Sequence, residues 1–371
     1  MKKIIIFFLI WITTILVVNK LSVNFIPNRT SYELPPGINI SARFTILPFL
    51  NFDGRNYLDI ATKGYFQKGI YNLRGFPPFY PLLINLISLT TKINPVYTGL
   101  LISFFATIGS IYLFYRLVEK EYNKKKASKA VILLLTFPAS FYLLCYYTDP
   151  LYLLLSLLVF WFLRKKNFTL AAIFAAFASA TRITGLVLAI IVIFEGIRYF
   201  LEKKKFPWVV ILSPLGFIGL SVYNWITVND PLAYFHAQPV YGKVFSIFGP
   251  VAAVVSGLRN VIAGPQSFFD SPFVYPVSIL EFVSFVFFVS IIILTHKKIK
   301  LIYWIYMVFN LYLFLAGGIL QAFPRYILVM FPIYFFLAKK LNGVWFIIYN
   351  IVSGTLLILL AALFLRGYYV A

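Results

Sequence analysis

Residues 96–118 read VYTGLLISFFATIGSIYLFYRLV, a run of 23 residues with one charged side chain, Arg116. A helix of about 20 apolar residues spans the hydrocarbon core of a bilayer, so this run is long enough to cross it. The next eleven residues, 119–129, read EKEYNKKKASK and carry five lysines. Short basic loops of this kind follow membrane spans on the cytoplasmic side. The two stretches together predict a transmembrane helix that ends in a cytoplasmic loop.

The composition of the whole chain also indicates a membrane protein. Of its 371 residues, 61% are hydrophobic and only 12% are charged, and the mean hydropathy is +0.88. A soluble domain carries about 25% charged residues, so this chain lacks the polar side chains to cover a surface in water. The formal net charge is +22, but the basic residues lie in short clusters between apolar runs. Nucleic-acid binding needs a basic face or arm, so we expect a lipid bilayer as partner and no nucleic acid.

Similar apolar runs recur along the chain and predict its threading. Eleven are visible, at 3–18, 96–118, 130–147, 151–163, 168–181, 186–200, 207–228, 274–294, 301–316, 326–338 and 343–365. Basic clusters follow the even-numbered runs, and 20 of the 33 basic residues fall at these ends or at the N-terminus, as the positive-inside rule requires. The pattern predicts one all-α polytopic membrane domain over 1–371 with about eleven transmembrane helices. Lys2 and Lys3 before the first run predict an uncleaved signal anchor with a cytoplasmic N-terminus.

Two predicted non-cytoplasmic segments are long enough to fold. The first covers 19–95 and includes residues 80–92, which we expect to form an amphipathic helix along the membrane interface. The second covers 229–273. Seven of the eleven acidic residues fall on this outer side or at its edge: Glu33, Asp53, Asp59, Asp149, Asp230, Asp270 and Glu281. Acidic chemistry is therefore expected on the non-cytoplasmic face.

The first outer segment contains a candidate catalytic acid. Residues 50–65 read LNFDGRNYLDIATKGY, in which 57–61 suits a short helix that Gly64 would end. Asp53 precedes this helix, where the helix dipole would stabilise its negative charge. Two interpretations remain open from the residues alone, a reactive carboxylate or a helix cap.

Two further charges stand out between apolar runs. Asp149 lies in the sequence YYTDP (146–150), which predicts a tight turn between two spans. Arg182 lies in the middle of the apolar stretch 168–200, and a charge at that depth is costly. The stretch is therefore better explained as a hairpin with Arg182 at its outer turn. There the guanidinium could anchor to headgroups or bind an anionic group such as phosphate.

The remaining polar residues provide weaker signals. Arg325 lies at the predicted outer end of a span, where it could bind phosphate or a lipid headgroup. His236 lies among aromatic residues, which is more typical of a structural histidine than of a base. The chain has one cysteine, Cys145, and two histidines. This composition excludes an internal disulfide and predicts no metal site and no cofactor.

The ordered set of short motifs resembles the PIG-V-type mannosyltransferases. The motifs are FDGRNYLDIATKGY (52–65), FPPFYP (76–81), YTDPLY (147–152), TRITG (181–185), NDPLAY (229–234) and PRY (324–326). The resemblance runs from residue 51 to about 338. Phe52 replaces the tryptophan of the family's usual first motif. The pairs Thr148-Asp149 and Ile183-Thr184 stand where family members often have Ser-Glu and Ser-Asn.

The resemblance implies a GT-C-like bundle and a glycosyltransferase reaction. A sugar, with mannose as the expected one, would pass from a polyprenyl-phosphate-sugar to a lipid or glycan acceptor on the non-cytoplasmic side. It implies Asp53 as general base, with Asp149 as the second candidate. Arg182 and Arg325 would bind the phosphate of the sugar donor. The same motifs and their flanks supply further candidate substrate-binding residues, which are Arg55, Tyr57, Asp230, Gln238 and Tyr326.

Two other functions remain open from the sequence. A carrier or flippase for a lipid-linked saccharide would also combine many spans with outward-facing charge, although it needs sites that both faces can reach. A ligase or polymerase of lipid-linked glycans would use a diphosphate donor. The compact chain, rich in Lys, Ile and Asn, favours a microbial cell membrane over the endoplasmic reticulum.

Overall fold

The computed structural model describes residues 2–29, 46–65, 71–264 and 274–370. These residues form sixteen α-helices and no strand, so the described chain is all-α as predicted. The helices are α1 (Lys2–Phe25), α2 (Asp53–Lys63), α3 (Phe79–Thr91), α4 (Pro95–Glu121), α5 (Lys124–Thr136), α6 (Thr148–Arg164), α7 (Phe168–Thr181), α8 (Gly185–Lys203), α9 (Leu215–Val228), α10 (Ala233–His236), α11 (Gly249–Ala263), α12 (Val274–Thr295), α13 (Leu301–Ala316), α14 (Phe323–Leu328), α15 (Pro332–Lys340) and α16 (Gly343–Leu365).

Five helical stretches in the described residues are long and apolar enough to cross a membrane. They are Lys2–Phe25, Pro95–Glu121, Trp208–Val228, Tyr275–Thr295 and Gly343–Leu365. Shorter apolar helices accompany them, namely α3, α7, α11 and α13. This set is compatible with a multi-pass integral membrane protein, while the count of eleven spans stays a prediction.

Prolines break two of the predicted spans. The run 130–147 is not one continuous helix, because α5 ends at Thr136 and a 3₁₀ turn, Ser140–Leu144, follows. Pro138 explains the break, because the residue before a proline is pushed out of the helical region. The run 326–338 is likewise divided, since α14 ends before Pro332 begins α15.

The two outer segments contain more helix than the sequence predicted. Helix α1 continues through residues 19–25, the short helix expected at 57–61 covers Asp53–Lys63, and the second segment contains α11. Helix α3 forms where the interfacial helix was predicted. Residues 30–45, 66–70 and 265–273, with Glu33 and Asp270, lie outside the described residues.

Small residues allow the central helices to pack closely. Helix α6 packs against α4 and α7, and α7 packs against α8 and α9. Ala171, Ala175 and Ala178 of α7 are fully buried. A Cβ atom added at Gly216 of α9 would lie 1.9 Å from the Ala176 carbonyl oxygen, so a larger residue there would separate the two helices.

Basic helix ends meet at one end of the bundle, called here the basic end. Glu121 at the end of α4 forms an ion pair with Arg164 at the end of α6. Its carboxylate also lies 2.9 Å from the Lys300 ammonium, just before α13. Asp149 lies in the first turn of the same α6, and fifteen residues of helix place it about 22 Å from Arg164. Asp149 and the basic loops therefore lie at opposite ends of this helix, as the charge pattern predicted.

Candidate functional site

A cavity of about 150 Å³ lies at the end of the bundle where α6 begins. It is called the site cavity below. Its wall comes from the start of α2, the start of α6, the α7–α8 turn, the second outer segment, the end of α13 and α14. Its polar lining residues are Asp53, Tyr57, Tyr147, Thr148, Arg182, Thr184, Tyr234, Gln238, Tyr241, Lys243, Gln321, Arg325, Tyr326 and Tyr369.

Asp53 is the first residue of α2, and its position depends on a strained backbone. The preceding residue, Phe52, has φ +58° and ψ −117°, a conformation that costs a non-glycine residue energy and that neighbouring contacts must hold. The side-chain Nδ2 of Asn51 holds it from one side by donating to the Phe364 carbonyl oxygen at 2.6 Å. Tyr147 Oη donates to the Asn51 carbonyl oxygen at 2.7 Å. Asp53 is therefore fixed to both α16 and the start of α6.

Two acids and two arginines alternate beside the site cavity. Arg325 Nη1 lies 2.9 Å from Asp53 Oδ2, and Arg325 Nε lies 3.8 Å from Asp149 Oδ2. The other oxygen of Asp149 forms an ion pair with Arg182. The Asp53 side chain is 30% exposed, whereas that of Asp149 is 1% exposed. Of the two predicted acids, Asp53 is thus the one that a bound molecule can reach.

Asp149 occupies a different position from the predicted turn. It lies in the first turn of α6, and it is fully buried behind the arginines. Its Oδ2 has no hydrogen-bond partner within the described chain, although Arg325 lies close enough to attract it. The buried carboxylate is placed to hold both arginines, and its burial disfavours the predicted second role as base.

The predicted hairpin with Arg182 at its turn is confirmed. Helix α7 ends at Thr181 and α8 begins at Gly185. The turn is tight, since a Cβ atom at Gly185 would lie 2.2 Å from the Ala178 carbonyl carbon. The buried guanidinium of Arg182 lies over the rings of Tyr152 and Tyr326, 5.6 and 5.4 Å from their centroids. Cation–π contacts of this kind hold the charge in place.

Lys243 is a site residue that the sequence analysis missed. It lies in the second outer segment, and its ammonium donates to Tyr326 Oη at 2.9 Å. The Tyr326 ring is fixed in turn by stacking on Phe314, with centroids 4.4 Å apart and planes 8° from parallel. One signal was available in the sequence, because Lys243 is the sole Lys, Arg, Asp or Glu between Asp230 and Arg259.

Neutral hydrogen-bonding groups complete the wall. Tyr57 Oη lies 3.4 Å from Thr148 Oγ1, and Gln238 Nε2 donates to the Gly75 carbonyl oxygen at 3.0 Å. Burial, together with the negative charge of Asp53, raises the pKa of Tyr241 to about 12, so its hydroxyl stays a donor at neutral pH. The buried Thr184 hydroxyl has no partner in the part of the chain that the structure describes. The Tyr241 hydroxyl donates to the Asn72 carbonyl oxygen at 3.3 Å, so these neutral groups hold the wall of the cavity together.

Arg55 and Asp230 do not line the site cavity. Arg55 forms a helical ion pair with Asp59 at 3.4 Å. Asp230 accepts hydrogen bonds from Tyr71 and from the Leu232 amide, and it pairs with His236 Nδ1 at 2.8 Å. Burial acts to raise the pKa of Asp230, but the hydrogen bonds from Tyr71, His236 and the Leu232 amide outweigh it and lower this pKa. The structure thus gives both predicted binding residues partners away from the cavity.

The charges of the site suit an anionic molecule. The lining residues include three cations, Arg182, Arg325 and Lys243, and one acid, Asp53. Among the described residues, no group of three His, Cys, Asp or Glu side chains could hold a metal ion. Comparison with protein-family models and with curated proteins finds no match to this chain. The resemblance to the PIG-V-type enzymes therefore stays a prediction.

Proposed function

We propose that this protein is a membrane glycosyltransferase that moves a sugar, with mannose as the first candidate, from a polyprenyl-phosphate-sugar to a lipid or glycan hydroxyl. The observation that carries the proposal is the Asp53–Arg325 pair at the wall of the site cavity, with Arg182 and Lys243 nearby. A carboxylate that a hydroxyl can reach stands directly beside cations suited to a phosphate. Both groups that a transfer from a sugar phosphate needs are therefore within one cavity.

Arg182 and Arg325 are the proposed phosphate ligands. Guanidinium groups bind phosphate oxygens through paired, charge-assisted hydrogen bonds. Arg325 Nη1 donates to Asp53 Oδ2 at 2.9 Å, so a phosphate would compete with the carboxylate for the same guanidinium. Binding of the sugar donor would then release Asp53 Oδ2 for the acceptor hydroxyl.

Asp53 would act as general base in a direct displacement. Its carboxylate takes the proton of the acceptor hydroxyl while that oxygen attacks the anomeric carbon of the sugar. The bond between this carbon and the phosphate oxygen breaks, and polyprenyl phosphate leaves with the electron pair. The proton on Asp53 then passes to solvent. A positioned base contributes roughly 10²–10⁴-fold to such a rate.

The placement of the site supports an enzyme over a carrier. A carrier would have to open a path from the site cavity to the basic end of the bundle. Buried aromatic side chains fill the space between the site cavity and the basic end. There, Tyr306 Oη lies 3.4 Å from both Tyr152 Oη and Ser156 Oγ. Phe331 packs on Tyr306 with ring centroids 5.7 Å apart. We place the reaction on the non-cytoplasmic face of a cell membrane, opposite the basic loops.

Acceptor-dependent release of polyprenyl phosphate tests the proposal. Purified protein in detergent is mixed with polyprenyl-phosphate-mannose labelled in the sugar, with or without a glycolipid extract of a microbial membrane. We expect polyprenyl phosphate to appear only with the extract, and the label to move to a new glycolipid. A protein that instead moves the intact labelled lipid across vesicle membranes, without cleaving it, is a carrier and contradicts the proposal.

A further inference from the structure

Glu281 is a buried acid that the proposed reaction does not use directly. It lies in α12, in the apolar stretch Tyr275–Thr295 that is long enough to cross a membrane, and it is 6% exposed. An ionisable residue in such a stretch is costly and is usually retained for a function. A hydrogen-bond partner must therefore stabilise the buried carboxyl group of Glu281.

The partner of Glu281 is the backbone just before α14. Glu281 Oε1 accepts a hydrogen bond from the Ala322 amide at 2.8 Å. Ala322 has φ +60° and ψ +26°, a left-handed conformation that is unfavourable for a residue with a Cβ atom. This strained residue sets the direction in which α14 starts. The carboxylate thus holds a backbone conformation that alanine would not keep by preference.

Helix α14 carries two residues of the site cavity. Arg325 and Tyr326 follow Ala322 within one helical turn, and the Tyr326 amide donates to the Ala322 carbonyl oxygen at 3.1 Å. Helix α12 also packs on α14 through Phe285, whose ring lies 5.7 Å from that of Phe323. A change in the backbone at Ala322 would move the guanidinium that binds Asp53.

Lys243 links α14 to the opposite wall of the cavity. Its ammonium donates to Tyr326 Oη at 2.9 Å. The Val244 amide, next to it, donates to the Gly317 carbonyl oxygen at 2.9 Å, which fixes this part of the second outer segment to the end of α13. Helix α14 is therefore held at two places, by Glu281 at its start and by Lys243 at Tyr326.

We infer that Glu281 is a positioning residue, which holds the strained start of α14 so that the Arg325 guanidinium is placed where it can bind Asp53 and, in the proposed reaction, the donor phosphate. The expected effect of Glu281 on sugar transfer rests on the proposed function. The expected effect of Glu281 on the structure of α14 does not. Glu281 itself does not touch the reacting atoms. Its contribution passes through the Ala322 amide, and a neutral side chain with a carbonyl oxygen at the same place should supply most of it.

Three variants of the full chain test the inference. Glu281→Leu removes the acceptor, and Glu281→Gln keeps a carbonyl oxygen in place of the carboxylate. Ile292→Ala is the matched control, because it loosens the buried side of the same helix about 16 Å farther along. Hydrogen exchange of peptides that cover residues 319–328 reports on α14. The KM for polyprenyl-phosphate-mannose, measured beside kcat, reports on the site.

We expect Glu281→Leu to speed exchange at the start of α14 and to raise the KM by at least about tenfold, as the loss of a buried hydrogen-bond acceptor implies. Glu281→Gln should return both values to within about threefold of the parent, and Ile292→Ala should change neither. The inference is overturned if hydrogen exchange at the start of α14 is unchanged in Glu281→Leu. It is also overturned if Ile292→Ala raises the KM as much as Glu281→Leu does. If the parent transfers no sugar while the exchange pattern holds, the proposed function fails and the positioning of α14 stands.

Discussion

Arg325 is the residue on which the proposed chemistry depends most, because it contacts the exposed acid and lies beside the buried one. Its guanidinium bonds to Asp53 at 2.9 Å and lies 3.8 Å from Asp149. The rings of Tyr142 and Tyr147 lie 5.6 and 5.2 Å from it. Such surroundings fix the orientation of the guanidinium before a substrate binds. A pre-oriented cation costs little to reorganise during the reaction.

The buried pair of Asp149 and Arg182 gives a prediction for stability. Removing one partner of a buried ion pair leaves an uncompensated charge, which typically costs about 3–5 kcal/mol, whereas replacing both with apolar residues is often neutral. We expect Arg182→Met to lower the thermal unfolding temperature in detergent. The double variant Arg182→Met/Asp149→Leu should recover most of that loss. A double variant that is no more stable than the single one would show that the pair is not coupled.

The sequence predicted most charged residues of the site, because a charge among apolar residues is conspicuous. Arg182 was selected in this way, Asp53 from its place before a short helix and Arg325 from the end of a span, and all three line one cavity. Lys243 was missed, because its place depends on a contact between two distant parts of the chain. Arg55 was selected from its motif, but its side chain pairs with Asp59 outside the cavity.

At the scale of helices, close packing of α4 on the segment before α6 supports the site. A Cβ atom added at Gly99 would lie 2.1 Å from the Tyr146 ring, and Tyr146 directly precedes two residues of the cavity wall. Overpacking of a buried site typically costs about 1–3 kcal/mol. We expect Gly99→Ala to lower the unfolding temperature.

Gly354→Ala is the control for this substitution. Gly354 lies inside α16, and an added Cβ would meet no atom of the described chain within 4 Å. Alanine favours a helix interior over glycine by up to about 1 kcal/mol, so this variant should be as stable as the parent or more stable. Equal unfolding temperatures for the two alanine variants would contradict the packing at Gly99.

The apolar runs predicted that the helices exist. They did not always predict the residues at which the helices end. Pro138 and Pro332 are visible breaks, and each lies inside an apolar run that the structure divides into two helical pieces. The apolar helix α11 was assigned to an outer loop, because no basic cluster marks a second crossing beside it. Hydropathy reports how apolar a segment is, whereas its depth depends on the neighbours it packs against.

For the whole molecule, the charge pattern predicts that α2 and the loop after α4 lie on opposite sides of the membrane. Two variants, Lys63→Cys and Lys125→Cys, each combined with Cys145→Ala, probe the two sides of the membrane. Both lysines are exposed, so an impermeant maleimide can reach a cysteine at either position. We expect each cysteine to react from one side only, and the two sides to differ. Labelling of both from the same side would contradict the threading.

The placement of the acidic outer segments and the basic loops at opposite ends could be predicted from the sequence, because the basic clusters recur after every second apolar run. The convergence of distant segments on one cavity could not. It depends on the turn at Arg182, the strained residues Phe52 and Ala322, and the contacts of the second outer segment with α13. These features depend on tertiary contacts, and a single sequence gives no distance between residues that are far apart in the chain.

The central claim is that Asp53 is the base of a sugar transfer, and the turnover of Asp53→Asn tests it most directly. Asparagine keeps the size and can accept a hydrogen bond, but it cannot take up the proton. Asp59→Asn, in the same helix, removes only exposed ion pairs, which contribute at most about 1 kcal/mol, and serves as control. We predict that Asp53→Asn slows acceptor-dependent release of polyprenyl phosphate at least about 100-fold with binding of the sugar donor retained, while Asp59→Asn matches the parent. A folded Asp53→Asn protein that turns over within about tenfold of the parent would contradict the account and leave Asp53 as the residue that starts α2.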